Sequence, residues 1–288
     1  MLVMDTLRSV AEKHGLKCLL HEKPYAGVNG SGKHNNWSVS YGGKNLLDPG
    51  SDPNDNALFL TMLCAVIEAV DKHADLLRAS VAGAGNDHRL GANEAPPAVI
   101  SIYVGDQLAE VLERIEKPRQ AKHEEKDTMK IGVDTLPAIP KDATDRNRTS
   151  PFAFTGNKFE FRAPGSSVCC AGPMTVLNTI VAEAVDRIAD ELDSELKAKG
   201  FKLSLPAAND QLPTTKHTAA FHNALQKILQ SSLKAHKRVV FNGNGYEADW
   251  PKEAERRGLP NAPDTPSALA ALAKDENAAL FERSEEHI

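Results

Sequence analysis

The run Lys158-Phe159-Glu160-Phe161-Arg162 alternates strictly between charged and aromatic residues. On a strand, period two places the carboxylate between two cations on one face and both phenylalanines on the other. Such a face suits the wall of a site that handles anions and metal ions; in isolation it equally suits a surface strand with a salt-bridged outer side. It belongs to the Gly/Pro-punctuated stretch 145–167, which also carries Arg146 and Arg148. A second stretch, NGSGKHNNWS at 29–38, sets Asn29, Gly30 and Gly32 ahead of His34. Glycines allow backbone amides to approach a ligand and face an anion, and a neutral imidazole ligates divalent metal. The same composition also makes ordinary turns. A third, GNDHRLGANEAPP at 85–97, holds Arg89 and Glu94 among small residues before a double proline. By composition alone it is a solvated mobile loop, yet it pairs a cation with a carboxylate able to accept a proton.

The elements that must position these groups follow from periodicity. Residues 2–14 predict a helix with Leu2, Val3, Leu7 and Val10 on one stripe and Gly15 as its stop, then a short buried strand over 16–20. Strands are expected at 37–41, 98–104 and 158–162. Helices are expected at 56–78 (Leu60, Leu63, Cys64, Ile67, Val70 and Leu77 facing a core), 106–116, 173–199, 216–237 and 250–258. LLDPGSDPNDN lacks EF-hand spacing and reads as turns and a helix cap. Residues 117–144 are charged and Pro-rich, a surface excursion. The acidic positions of 173–199 follow no Glu-x-x-His pattern and are expected on a solvated face. FNGNGY at 241–246 has no following Lys-Ser/Thr and reads as structural rather than as a phosphate loop.

The 288-residue chain is long enough for one or two domains, and few aromatics leave its core to Ala, Leu, Val and Ile. A net charge of -5 gives no electrostatic case for nucleic acid or an anionic membrane. The four cysteines show no CxxC spacing, and Cys169 and Cys170 are adjacent, a poor geometry for an ordinary disulfide. With no long apolar run, a reducing cytoplasm is the expected location.

These three stretches, in this order, resemble the glutamine synthetases, and their spelling with FNGNGY resembles the long type III members in particular. The resemblance runs over most of the chain. It implies an α+β fold: residues 1–200 as the C-terminal portion of the catalytic domain, a partial antiparallel sheet with flanking helices. Residues 201–288 would be a mainly helical type III extension, which could begin near 170. It implies ATP-dependent ligation of ammonia to the γ-carboxylate of L-glutamate through γ-glutamyl phosphate, with Mg2+ or Mn2+. Asn29, Gly30, Arg89 and Arg162 would hold glutamate, with Arg162 on its α-carboxylate. His34 and Glu160 would bind metal, Arg148 the γ-phosphate, Ser38 and Lys158 the nucleotide. Glu94 would accept the proton from ammonium. The sequence departs from the family at Asn36, where many members have a second histidine, and at Lys158, where many have arginine. SPFAF at 150–154 stands where many carry another phosphate-binding arginine. The chemistry is coherent, because an acyl phosphate brings several anions into one site and demands cations to offset them.

The resemblance further implies chains more than twice this long, with more metal-ligating glutamates upstream and a homo-oligomeric ring. The chain by itself is therefore expected to be an incomplete fragment of low activity. A non-catalytic nucleotide-binding or assembly module, and a γ-glutamylamine ligase on the same scaffold, remain the alternatives.

Overall fold

The computed structural model describes residues 2–23, 25, 32–50, 53–91, 97–117, 128–129, 139–140, 149–200 and 219–285. The helices are α1 (Leu2–Lys13), α2 (Ala57–Lys72), α3 (Ala74–Ser80), α4 (Ala84–Arg89), α5 (Gly105–Glu116) and α6 (Ala171–Ala198). They continue with α7 (Ala219–His236), α8 (Trp250–Arg256), α9 (Thr265–Leu269) and α10 (Asp275–Glu285). The strands are β1 (Asn35–Trp37), β2 (Ser40–Tyr41), β3 (Lys44–Asn45), β4 (Ile102–Tyr103), β5 (Thr128–Met129), β6 (Ile139–Pro140), β7 (Phe152–Phe154) and β8 (Phe159–Phe161). The architecture is mixed α+β, a small sheet and many helices.

The principal sheet runs β1-β8-β7-β4. β8 pairs antiparallel with β1 and with β7, but β4 lies parallel to β7, so the sheet is mixed rather than purely antiparallel. Its inner face is built by the aromatics of the alternating run. Phe152 and Phe159 stack at 4.7 Å, Phe154 meets Phe159 edge-on at 5.3 Å, and Phe59 of α2 packs on Phe154 at 6.0 Å. Phe152, Phe159 and Phe161 are fully buried in a core that otherwise rests mostly on Leu, Val, Ile and Ala, as expected.

α2 lies between the sheet and α6 and α7. Phe59 and all of Met62 to Asp71 are buried, which a helix tolerates only if its polar groups are paired. Glu68 receives Arg187 and Ser232; Asp71 receives Arg238 at 2.8 Å and lies 2.9 Å from His236 Nδ1. Asn56 caps this helix, its side chain accepting from Phe59 N, as the turn-rich stretch before it leads one to expect.

The helix expected over 56–78 is interrupted at His73. Its ring is tethered at 2.8 Å to Glu183 of α6 and at 3.3 Å to Asn277 of α10, and the backbone there leaves helical geometry. Glu183 also receives Lys72 and Arg283, so this acidic position of α6 joins two cations and an imidazole rather than standing on a solvated face. Residues 16–20 form no strand, and α4 occupies part of the stretch expected to be loop. α1 forms as expected, but none of its residues is buried, and Leu2, Val3, Leu7 and Val10 are exposed.

Candidate active site

The outer face of β8 carries Glu160. In the registers Asn36↔Glu160 and Ala153↔Glu160, the carboxylate rises between β1 and β7, opposite the phenylalanine layer. Arg162, 2% exposed, turns back along the same face. Its Nε and Nη2 each lie 2.9 Å from Glu160 Oε2. His34, just ahead of β1, brings Nδ1 to 2.9 Å from Glu160 Oε1, although the two residues are 126 positions apart. Burial disfavours the charged carboxylate, but the charge and hydrogen bonds of Arg162, with a smaller contribution from His34, hold its pKa below the ordinary glutamate value. Glu160 is therefore an ionised, half-buried carboxylate gripped from one side and facing an imidazole on the other.

The segment bearing His34 is positioned by continuing the β1–β8 pairing past the strand ends. Gly32 bridges Gly165, Lys33 N donates to Pro164 O at 3.0 Å, and Lys33 Nζ donates to Val168 O at 2.8 Å. Glu22 closes the same corner, accepting from the amide of Ser167 at 2.8 Å and from its hydroxyl. A Cβ at Gly165 would meet the carboxylate end of Glu22, so the glycine lets that side chain lie against this corner, and a larger residue would displace it. From the core side, Trp37 Nε1 donates to Asn178 Oδ1 of α6 at 2.9 Å and fixes β1.

Of the residues expected at the site, His34, Glu160 and Arg162 are brought together. Lys158 stands half-buried at the start of β8, with its carbonyl accepting from Thr155 N at 2.8 Å. Ser38 is exposed just beyond β1. Arg89 ends α4, and its side chain lies outside the described residues, as do Asn29, Gly30, Glu94 and Arg148. Two supporting residues escaped the sequence reading. Asn86, 2% exposed, donates to Val81 O at 2.7 Å and to Ala163 O at 3.0 Å, tying α4 to the residue after Arg162. Glu22 is the other; only its place before the glycine loop hinted at a role.

For a divalent cation, His34 and Glu160 offer one imidazole and one carboxylate, donor types that suit such an ion. Among the described residues no group of three or more His, Cys, Asp or Glu is placed to hold a metal. The described pair thus fits part of a coordination shell. No helix among these residues is long and apolar enough to cross a membrane.

Comparison with known proteins extends over the whole chain. A family model described as "Glutamine synthetase, catalytic domain" matches residues 1–101, and one described as "Glutamine synthetase C-terminal domain" matches residues 224–286. A curated "Type-3 glutamine synthetase" of Dictyostelium discoideum is 53% identical over 99% of this chain and 36% of its own length. A "Glutamine synthetase" of Butyrivibrio fibrisolvens is 47% identical over 98% of this chain and 37% of its own length. That of Bacteroides fragilis is 45% identical over 97% and 36%. The chain therefore spans little more than a third of these relatives. A solved structure described as "Apo GmaS without ligand" overlaps 89% of this chain and 47% of its own at 19% identity and a TM-score of 0.35, too slight a likeness to argue from.

Proposed function

The chain belongs to the glutamine synthetase family, and from that premise we propose that it forms part of a glutamate–ammonia ligase, joining ammonia to the γ-carboxylate of glutamate at the expense of ATP. The observation that carries this reading is the His34–Glu160–Arg162 cluster. Residues from two separate motifs converge on one ionised carboxylate, on the polar side of a strand whose other side is core.

In this reading Arg162 divides its guanidinium between Glu160 and the α-carboxylate of glutamate, with Asn29, Gly30 and Arg89 completing the substrate contacts. Arg148 offsets charge on the phosphoryl group in transfer, where fixed cations act most strongly. Ser38 and Lys158 contact the nucleotide. Glu94 takes the proton that ammonium must lose before it attacks the acyl phosphate. His34 and Glu160 would hold a divalent ion, Mg2+ or Mn2+, which when bound supplies Lewis-acid charge neutralisation. Glu160 is suited to that role because its carboxyl stays ionised at neutral pH. Residues 1–200 would be catalytic-domain sequence and 201–288 an extension, in a homo-oligomer assembled as a ring.

Among the described residues two donors do not complete a metal shell, and the chain spans little more than a third of its relatives' length, so alone it is expected to turn over little. The test is ATP-dependent glutamine formation, with Mg2+ or Mn2+, by the chain alone and by a hybrid. The hybrid joins the upstream portion of the Dictyostelium type-3 enzyme to this chain. Glutamine made by the hybrid supports the reading. A hybrid that assembles and binds ATP without making glutamine supports a nucleotide-binding or assembly module instead. A preference for methylamine over ammonia as acceptor would redirect the reading to a γ-glutamylamine ligase.

A further inference from the structure

The FNGNGY loop, 241–246, lies within the part of the chain matched to a C-terminal domain, yet it is built into the candidate site's supports. It is rigidly mounted. Phe241 N donates to Ile102 O at 2.8 Å, and Val240 bridges Ile102 so that the loop continues the sheet beyond β4. The Asn242 side chain accepts from Val104 N at 3.0 Å and from Gly105 N at 3.2 Å, and donates to Gly105 O. Phe241 stacks on Trp250 at 3.8 Å beneath the Arg257 guanidinium, and Asn244 Oδ1 accepts from Tyr246 N at 3.0 Å.

The tip of this loop has no room for a side chain. A Cβ built at Gly245 would lie 2.2 Å from Thr149 O and 3.1 Å from Pro97 Cγ. Gly245 is not among the positive-φ glycines, so the requirement is space and not backbone conformation. Thr149 follows Arg148 in sequence, and its other neighbour, Ser150, lends its carbonyl to Arg162 Nη1 at 3.4 Å. Ser150 is 2% exposed and its hydroxyl is directed at Ser101 O and Phe152 O, so a shift at Thr149 cannot dissipate there. An unbroken line of contact thus runs from the loop through residues 149–150 to Arg162, Glu160 and His34.

We propose that Gly245 is a positioning residue for the reaction: as a side-chain-free stop against Thr149 O, it sets the backbone that seats Arg162 and that follows Arg148. This rests on the ligase reading above. It gives the C-terminal domain a part in the chemistry, acting through the 149–150 backbone without touching substrate. What Gly245 makes room for is backbone, and what Gly243 makes room for is the Phe241 ring, so neither glycine needs a phosphate to explain it.

The experiment uses the hybrid enzyme with Gly245→Ala. Leu280→Ala, which opens a cavity at the buried Leu280 of α10, a helix that packs on α6 and the 270–273 turn, serves as the control for general destabilisation. Gly245→Ala is expected to lower kcat/KM for glutamate about a hundredfold, the scale of an ångström-level misplacement, while KM for ATP stays within about twofold. Leu280→Ala, compared at equal folded fraction, is expected to leave both near the unsubstituted values. Should Gly245→Ala fail to fold, Asn244→Ala loosens the same tip by removing one hydrogen bond without adding an atom. Its expected loss in kcat/KM for glutamate is about fivefold. Equal effects of Gly245→Ala and Leu280→Ala, or an unchanged kcat/KM in Asn244→Ala, overturn the proposal. An unsubstituted hybrid that makes no glutamine removes the ligase reading first and this inference with it, whereas an active hybrid indifferent to these changes removes this inference alone.

Discussion

Replacing Glu160 with Gln isolates what the buried ion pair does for the fold. The side chain of Arg162 is only 3% exposed, and two of its N–H groups converge on one carboxylate oxygen at 2.9 Å. With charge centres about 4 Å apart and an effective dielectric constant of about 20, the attraction is about 4 kcal/mol. Much of it is offset by desolvating the two ions, so the intact pair contributes little net stability. Removing one partner is different, because the remaining charge stays buried. Such changes cost about 3–5 kcal/mol, and since the glutamine carbonyl still accepts one hydrogen bond, a loss of about 2–3 kcal/mol is expected for Glu160→Gln. The double change Glu160→Gln with Arg162→Met removes both charges and is expected to cost less than Glu160→Gln alone. Urea unfolding at neutral pH, with the denaturant slope unchanged, is the assay. The sign with pH is fixed by the depressed pKa. The stabilisation is fully present above the ordinary carboxyl value of 4.5 and is lost as pH falls through the lower folded value, so the gap between the original chain and Glu160→Gln closes in acid. A gap that stays constant into acid, or a double change costing the sum of two large single losses, would refute this account.

Phe159→Ala removes the ring at the centre of the aromatic layer and is expected to cost about 3–5 kcal/mol in the same unfolding assay. Glu183, held at a pKa of about 2 chiefly by its hydrogen bond to His73, against burial and with the help of Lys72, gives a second acid-sensitive contribution. Glu183→Gln is expected to lose about 1–2 kcal/mol at neutral pH after solvent screening. Melting temperatures should show that difference vanishing as pH drops from 4.5 toward about 2. Burial, with a smaller push from Glu68, raises the Cys64 thiol to about 12. Iodoacetamide near pH 8 should therefore label exposed Cys169 in the folded chain and reach Cys64 only after unfolding, as peptide mass mapping would reveal.

Much of this molecule is legible in one dimension. The period-two run 158–162 determined which side of its strand is core and which carries charge, and the structure keeps that division between Phe159, Phe161 and Glu160. Helical periodicity located most helices, with Gly200 closing α6 in the left-handed conformation that glycine alone adopts without strain. The chemistry of the three motifs supplied the candidate residues, since metal, phosphate and carboxylate each require particular donors or charges. Pattern failed wherever the partner lies far along the chain. Nothing local to 56–78 announces that the helix will break at His73, where the ring meets Glu183 and Asn277, and nothing in the acidic pattern of α6 marks Glu183 as the one that Lys72, Arg283 and the His73 ring approach. The parallel entry of β4 and the tie from Asn86 to Ala163 are likewise products of packing. So is the fit of Gly245 against Thr149: the sequence determined that a flexible, small residue stands there, but only the tertiary structure decided that what it must leave room for is another stretch of the chain's own backbone, because close packing is a relation between segments that no single segment encodes.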